Sequence, residues 1–237
     1  LSGANTYTGQ TTVNGGTLTV VSSLNAANNL TIALGATADF TAAASAILGS
    51  VDNSGTFRGT DATFGSLSGL GTTNASGNLT LPAITGGTVN VGGELKAATG
   101  GVDVSLATVT VGGRSTLGTV SSGTLSLNGD ASIATLNGGS VSIAAGKELT
   151  VGGGSFGDTL SGAGDLTIGG ALTTGTATVS GFTGKITVSN GGSLDSSAVF
   201  TAKNALTLNS GSTATFSGSD LQLGNVANNN AAVEGVN

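Results

Sequence analysis

Asp39 and Asp61 are separated in sequence by an interval that one coil of a repeating fold could fill, and Arg58 stands close to the second. If the chain repeats at that interval, the two carboxylates stack on neighbouring turns beside one guanidinium. Two or three carboxylates converging on one face, helped by a basic or aromatic partner, are the equipment for acid–base attack on a polysaccharide. The same stacked pair is the best-placed ligand set for a structural divalent cation. Asp158 and Asp165 form a second pair, on either side of LSGAG at 160–164. Against these readings stand the missing partners. The chain has no histidine, cysteine, methionine or tryptophan, and its one tyrosine is Tyr7. Thiol chemistry, zinc held by Cys or His and any histidine-based triad are excluded. A sugar-gripping groove has little aromatic surface to draw on. The aspartates are therefore expected to be solvated, outward-facing residues. The sequence assigns no catalytic, cofactor-binding or metal-binding residue, and the chain is expected not to be an enzyme.

Two weaker patterns touch on binding. GGGSFGDTL at 152–160 is similar to the calcium-binding GGxGxDxUx nonapeptide. Its aspartate is one place out of register and the motif does not recur, so no ligand ladder is expected. Threonine pairs at Thr6/Thr8, Thr17/Thr19, Thr108/Thr110, Thr176/Thr178 and Thr213/Thr215 would suit a flat ice-binding rank, but their intervals are irregular. Threonine is more simply an outward strand residue.

Charge narrows the partners. Only 8 % of residues are charged and the net charge is −6, against about 25 % charged in an ordinary soluble domain. The cations Arg58, Lys96, Arg114, Lys147, Lys185 and Lys203 are scattered singly, whereas a phosphate backbone needs them clustered. Neither nucleic acid nor anionic lipid is an expected partner. No apolar run approaches the ~18 residues of a spanning helix. No secretory signal or transit peptide is recognisable, and the chain opens inside a patterned segment, as a mature product or an excised fragment would. Its 43 glycines accompany a single proline, Pro82, with 38 % hydrophobic residues and a mean hydropathy of +0.30. That is neither collagen nor a disordered linker.

The elements that position these residues are short. Apolar–polar–apolar triplets recur throughout, among them LTV (18–20), LTI (30–32), LTL (79–81), VTV (109–111), LSL (125–127), LTI (166–168), ITV (186–188) and LTL (206–208). Period-two alternation rich in β-branched residues predicts strands. The GG, NG and SG pairs between them supply turns. TAAASAIL at 41–48 is ambiguous between one helical turn and a loop. Leu117, Leu125, Ile133, Val141 and Leu149 follow at steps of eight, a spacing that a hairpin sheet or a solenoid could use. The internal repeat decides. GTLTVVSSLNAANNLTIALGATADFT (16–41) aligns without a gap on GSLDSSAVFTAKNALTLNSGSTATFS (192–217), at a constant offset of 176. Leu30, Gly35 and Phe40 meet Leu206, Gly211 and Phe216; upstream, with one residue inserted, Tyr7 meets Phe182. Since 176 is eight times 22, the chain is expected to be all-β, a three-faced parallel β-helix with about 22 residues per coil. A two-sheet sandwich is the alternative. Leu30 and Leu206 are expected to be equivalent inward ladder residues, with Thr31 and Thr207 outward.

LSGANTYTGQTTVNGGTLTV at 1–20 resembles the autotransporter-associated β-strand repeat of large bacterial surface proteins. The resemblance rests on Leu1, Ser2, Gly3, Asn5, Thr6, Tyr7, Thr8, Gly9, Thr11, Thr12, Val13, Gly15, Gly16, Thr17 and Leu18. It is degenerate over 160–194 and only compositional between, and Gln10 stands where the family often has a second glycine. The resemblance implies a right-handed parallel β-helix passenger, exported to the bacterial surface or secreted, acting as a stalk or adhesin. A specific host- or neighbour-cell binding module and a β-helical polysaccharide-degrading enzyme are the alternative functions. The expected organisation is a single β-helix over 1–225, then a tail or linker over 226–237; NNNAAVEGVN (228–237) has none of the patterning of a membrane barrel. Tyr7 is expected to cap or plug a turn. With no amphipathic cap before the first strand, end-to-end self-association and cell-surface contacts are the expected partnerships. No small-molecule substrate is expected.

Overall fold

The computed structural model describes residues 1–24, 28–175, 177–198, 200–217 and 221–235. Every regular element among them is a β-strand, and the assigned strand pairings are parallel. Strands stack coil upon coil as a β-solenoid, the parallel β-helix that the triplets and the repeat predict. Two compact units divide the chain, Leu1–Leu117 and Gly118–Asn237.

In the first unit three ladders run through the coils. Leu30, Val51, Leu67, Ile84 and Val104 form one. Leu18, Ala38, Phe57, Thr73, Val89 and Val109 form the second. Ala46, Ala62, Leu79, Leu95 and Ser115 form the third. Nearly all of these residues are buried, because alternation sends every second side chain into the bore. Phe40 and Phe57 stack at 5.4 Å between ring centroids, and Phe64 meets Phe57 edge-on at 5.0 Å. The aromatic rings fill the bore where the neighbouring ladder residues are only alanines.

Coils are shorter than the repeat offset predicts, and they are unequal. Along the second ladder Leu18 pairs with Ala38, Ala38 with Phe57, Phe57 with Thr73, Thr73 with Val89 and Val89 with Val109. The two coils between Phe57 and Val89 are the shortest of these. Contraction comes from strands that turn corners without a loop. Thr56–Ser68 is one 13-residue strand whose segments 56–59, 62–63 and 67–68 pair with three different strands of the next coil. TAAASAIL is likewise strand, within Thr37–Asn53, rather than a helical turn or a loop. Its alanines are small enough for the chain to bend there, with a register shift between Phe40 and Ser45.

The second unit repeats the plan. Ala131, Leu149, Leu166, Ile186, Leu206 and Val226 make one ladder. Leu172, Leu194 and Ala214 belong to another, and Leu125, Val141 and Leu160 to a third. Leu125 and Val141 are register partners, so two of the steps of eight make a coil here instead of three. Pairing continues through Leu221–Asn228 and Ala232–Gly235. The described part of 226–237, expected as a tail or linker, therefore carries ladder strands. Asn228 makes the turn between them, its Oδ1 accepting from the Ala231 N–H at 2.8 Å.

The internal repeat has a structural counterpart. Thr17–Thr19 pairs with Thr37–Asp39 as Ser193–Asp195 pairs with Thr213–Thr215. Thr11–Val13 pairs with Leu30–Ile32 as Ile186–Val188 pairs with Leu206–Leu208. What recurs in the sequence is a strand-pairing module. In both copies the partners fall short of the expected coil length, Thr11 facing Leu30 and Ser193 facing Thr213. The offset of 176 therefore does not report a uniform coil.

Candidate functional site

Asp39, Asp61, Asp130, Asp158 and Asp165 accept from backbone N–H groups, while Glu94 pairs with Lys96 and Glu148 accepts from the Thr167 hydroxyl. Asp39 lies beside Arg58 on the next coil. Its Oδ1 accepts from the Thr41 hydroxyl at 2.7 Å and from the Thr41 N–H at 2.9 Å. These hydrogen bonds, the hydroxyl's first, hold its pKa below the ordinary 3.8; desolvation opposes them and the Arg58 charge adds to them. Asp61 is elsewhere, in register with Ser45 on another ladder, its Oδ1 accepting from the Asn78 N–H at 2.6 Å. The expected Asp39/Asp61 stack does not form, because the shortened coil brings Arg58 rather than Asp61 opposite Asp39. Asp158 accepts from the Gly139 N–H at 2.6 Å and Asp165 from the Lys185 N–H at 2.9 Å. Asp130 accepts from the Glu148 N–H at 3.2 Å, and Asn78 passes the pattern on to the Glu94 N–H at 2.8 Å.

Most of these side chains satisfy a donor on an adjacent coil that would otherwise need water. A sequence signal exists for the ones that precede strands. Aspartate or asparagine stands at the head of the strand segment in NLTL (78–81), DASI (130–133) and DLTI (165–168).

GGGSFGDTL puts Phe156 into the core and Asp158 onto Gly139. Among the described residues no group of three or more carboxylates is placed to hold a metal ion, and no helix is long and apolar enough to cross a membrane.

Threonine behaves differently from its sequence spacing. Thr17, Thr37, Thr56, Thr72, Thr88 and Thr108 are successive register partners. Unequal coil lengths hide that rank from a fixed-interval search. The rank beside it runs Thr19, Asp39, Arg58, Asn74, Asn90, Thr110, so paired threonines occur only on its two end coils. In the second unit Ser132, Thr150, Thr167, Thr187 and Thr207 align in the same way. Of the remaining pairs, Thr176 lies outside the described residues.

At the start of the chain, Tyr7 is 43 % exposed, whereas its repeat counterpart Phe182 is fully buried. Tyr7 lies at the surface and does not plug the bore. Its hydroxyl meets Thr11 Oγ1 at 2.8 Å, Thr11 donates to buried Asn28 at 2.6 Å, and Asn28 donates to the Gly9 carbonyl. Residues 1–5 lie along 19–23. The N-terminal amine donates to the Thr19 carbonyl at 2.6 Å, the Val21 N–H to the Leu1 carbonyl at 2.9 Å, and the Asn5 N–H to the Ser23 carbonyl at 3.2 Å. Part of the expected bare edge is thus covered.

Sequence reasoning missed a row of exposed leucines. Leu34 and Leu70 are each 87 % exposed and Leu106 is 74 % exposed. They are evenly spaced in the sequence. Each sits in the corner between the Leu30–Val104 ladder and the threonine rank, on alternate coils. Ser54-Gly55 and Gly86-Gly87 occupy the same corner on the coils between. Leu106 holds a left-handed backbone, φ 54°, a conformation that costs a non-glycine residue about 1–2 kcal/mol. The signal was the even leucine interval itself, with glycine beside Leu34 and on both sides of Leu70.

No protein-family model matches the chain, and no curated protein or solved structure is detectably similar to it.

Proposed function

We propose that the chain is a structural or adhesive β-helical segment of a bacterial cell-surface or secreted protein, of the kind that autotransporter passengers provide. The observation that carries this reading is the repeat: residues 16–41 and 192–217 share strand pairings and ladder leucines, and the buried polar residue they share, Asn28 in one and Asn204 in the other, donates to the equivalent Gly9 and Gly184 carbonyls. What the sequence duplicates is a way of stacking coils. The four aspartates weighed for acid–base chemistry, Asp39, Asp61, Asp158 and Asp165, serve backbone donors, which supports a scaffold role over catalysis. The LSGANTYTGQTTVNGGTLTV segment supports the bacterial-surface part by its resemblance. Immunolabelling of the producing cells, intact and then permeabilised, tests the placement. Label on intact cells or in the medium is the expected result; label that appears only after permeabilisation would sink the reading.

A further inference from the structure

We propose that the Leu34–Leu70–Leu106 corner is a lateral docking edge for a second copy of this chain. On one corner of the first unit, successive coils present Leu34, Ser54-Gly55, Leu70, Gly86-Gly87 and Leu106, large and small in alternation. Coils rise about 4.8 Å each, so the leucines stand roughly 10 Å apart with low ground between them. Gly55 keeps its notch low because a Cβ there would run into the Ala33 and Ala36 carbonyls. At Gly86, which has φ +81°, a Cβ would crowd the Gly69 carbonyl oxygen at 2.9 Å, and the Leu70 side chain of the preceding coil reaches to contact distance of the same point.

Such a row is complementary to itself. A copy displaced by one coil sets its leucines over the notches of the first. A two-fold axis that keeps the copies parallel places leucine on leucine. The antiparallel two-fold arrangement allows the one-coil offset, and it also brings like flanks together. One flank opens with the uncharged rank Thr37, Thr56, Thr72, Thr88 and Thr108, beyond which Asp39 stands beside Arg58 and offsets it, while the other carries Asp52 and Asp103. Facing threonine ranks leave Asp52 and Asp103 outside, which matters for a chain of net charge −6. An isologous pair of this kind closes on itself. The contact is narrow, below the ~1,000 Å² of a stable interface, so pairing is weak in dilute solution and grows where chains are crowded side by side.

The inference does not depend on where the protein resides. Sedimentation equilibrium of the full chain across a wide concentration range tests it with two variants, each first checked for an unchanged urea midpoint. Wild type is expected to show a monomer–dimer equilibrium. Leu70→Ser is expected to weaken it by about tenfold or more. Ser54→Leu, which fills a notch while making the surface more apolar, is expected to weaken it too. A monomeric wild type, dimerisation unchanged in Leu70→Ser, or tighter association in Ser54→Leu would each overturn the proposal, the last by showing indiscriminate hydrophobic contact.

Discussion

Leu206 is 1 % exposed, while Thr207, one peptide bond away, lies partly open to solvent. Aspartate at 206 would put an unpaired charge between Ile186 and Val226, a loss of about 3–5 kcal/mol. Aspartate at 207 would sit beside Thr187 and Ala227 on the outer surface and should move the urea midpoint little. Equal effects at the two positions would refute the assigned faces. This alternation was legible in the triplets. The role of Asp39 was not, because its partner Thr41 becomes a partner only through the local bend. With its pKa lowered by Thr41, Asp39 stabilises the fold fully above the ordinary 3.8 and stops doing so as the pH falls through the lowered folded value. Asp39→Asn should therefore flatten the acid limb of a stability-against-pH curve, slightly, since the group lies near the surface. An acid limb identical in the two proteins would show that the Thr41 hydrogen bonds carry no linkage.

Strands and corners obey two sets of rules, and the sequence displays only one of them openly. Alternation marks the strands; glycine marks some corners and is absent from others. The strand Thr56–Ser68 bends through three faces on two single glycines, Gly59 and Gly65, with no GG, NG or SG pair to mark them, and the coil is contracted there, with Thr56 facing Thr72. A period derived from the repeat offset overstates this coil and the one before it, where Asp39 faces Arg58 and Ser45 faces Asp61, and so it misplaced Asp39 against Asp61. The threonine ranks were hidden for the same reason. Where glycine does mark a corner, close approach of backbones is the cause. At Gly55 a Cβ would collide with two carbonyl oxygens, whereas at Gly15 nothing lies within 4 Å. Gly55→Ala should cost about 1–3 kcal/mol, read as a lower urea midpoint, and Gly15→Ala should be close to neutral. Parity between them would mean that the corner is looser than described.

At the scale of the molecule, each unit is held by ladders of apolar side chains and by backbone pairing between coils. Five aspartates act as local caps on backbone donors, and the ladders ask little more of charge, so 8 % charged residues suffice. The architecture and the repeat were readable in advance because both depend on period-two patterning. The leucine corner was not, since it requires knowing which turns share an edge. Everything rests on register, and the absence of cysteine makes register directly measurable. Parallel neighbours stand about 4.8 Å apart, within the ~4.4–6.8 Å that a disulfide spans between Cα atoms. Thr187 is assigned to Thr207, whereas the longer coil expected from the repeat offset would assign it to Asn209. Oxidation of the Thr187→Cys/Thr207→Cys variant should give an intramolecular disulfide in high yield, and the Thr187→Cys/Asn209→Cys variant should not close. Closure of the 187/209 pair in preference to 187/207 would contradict the winding on which the account depends.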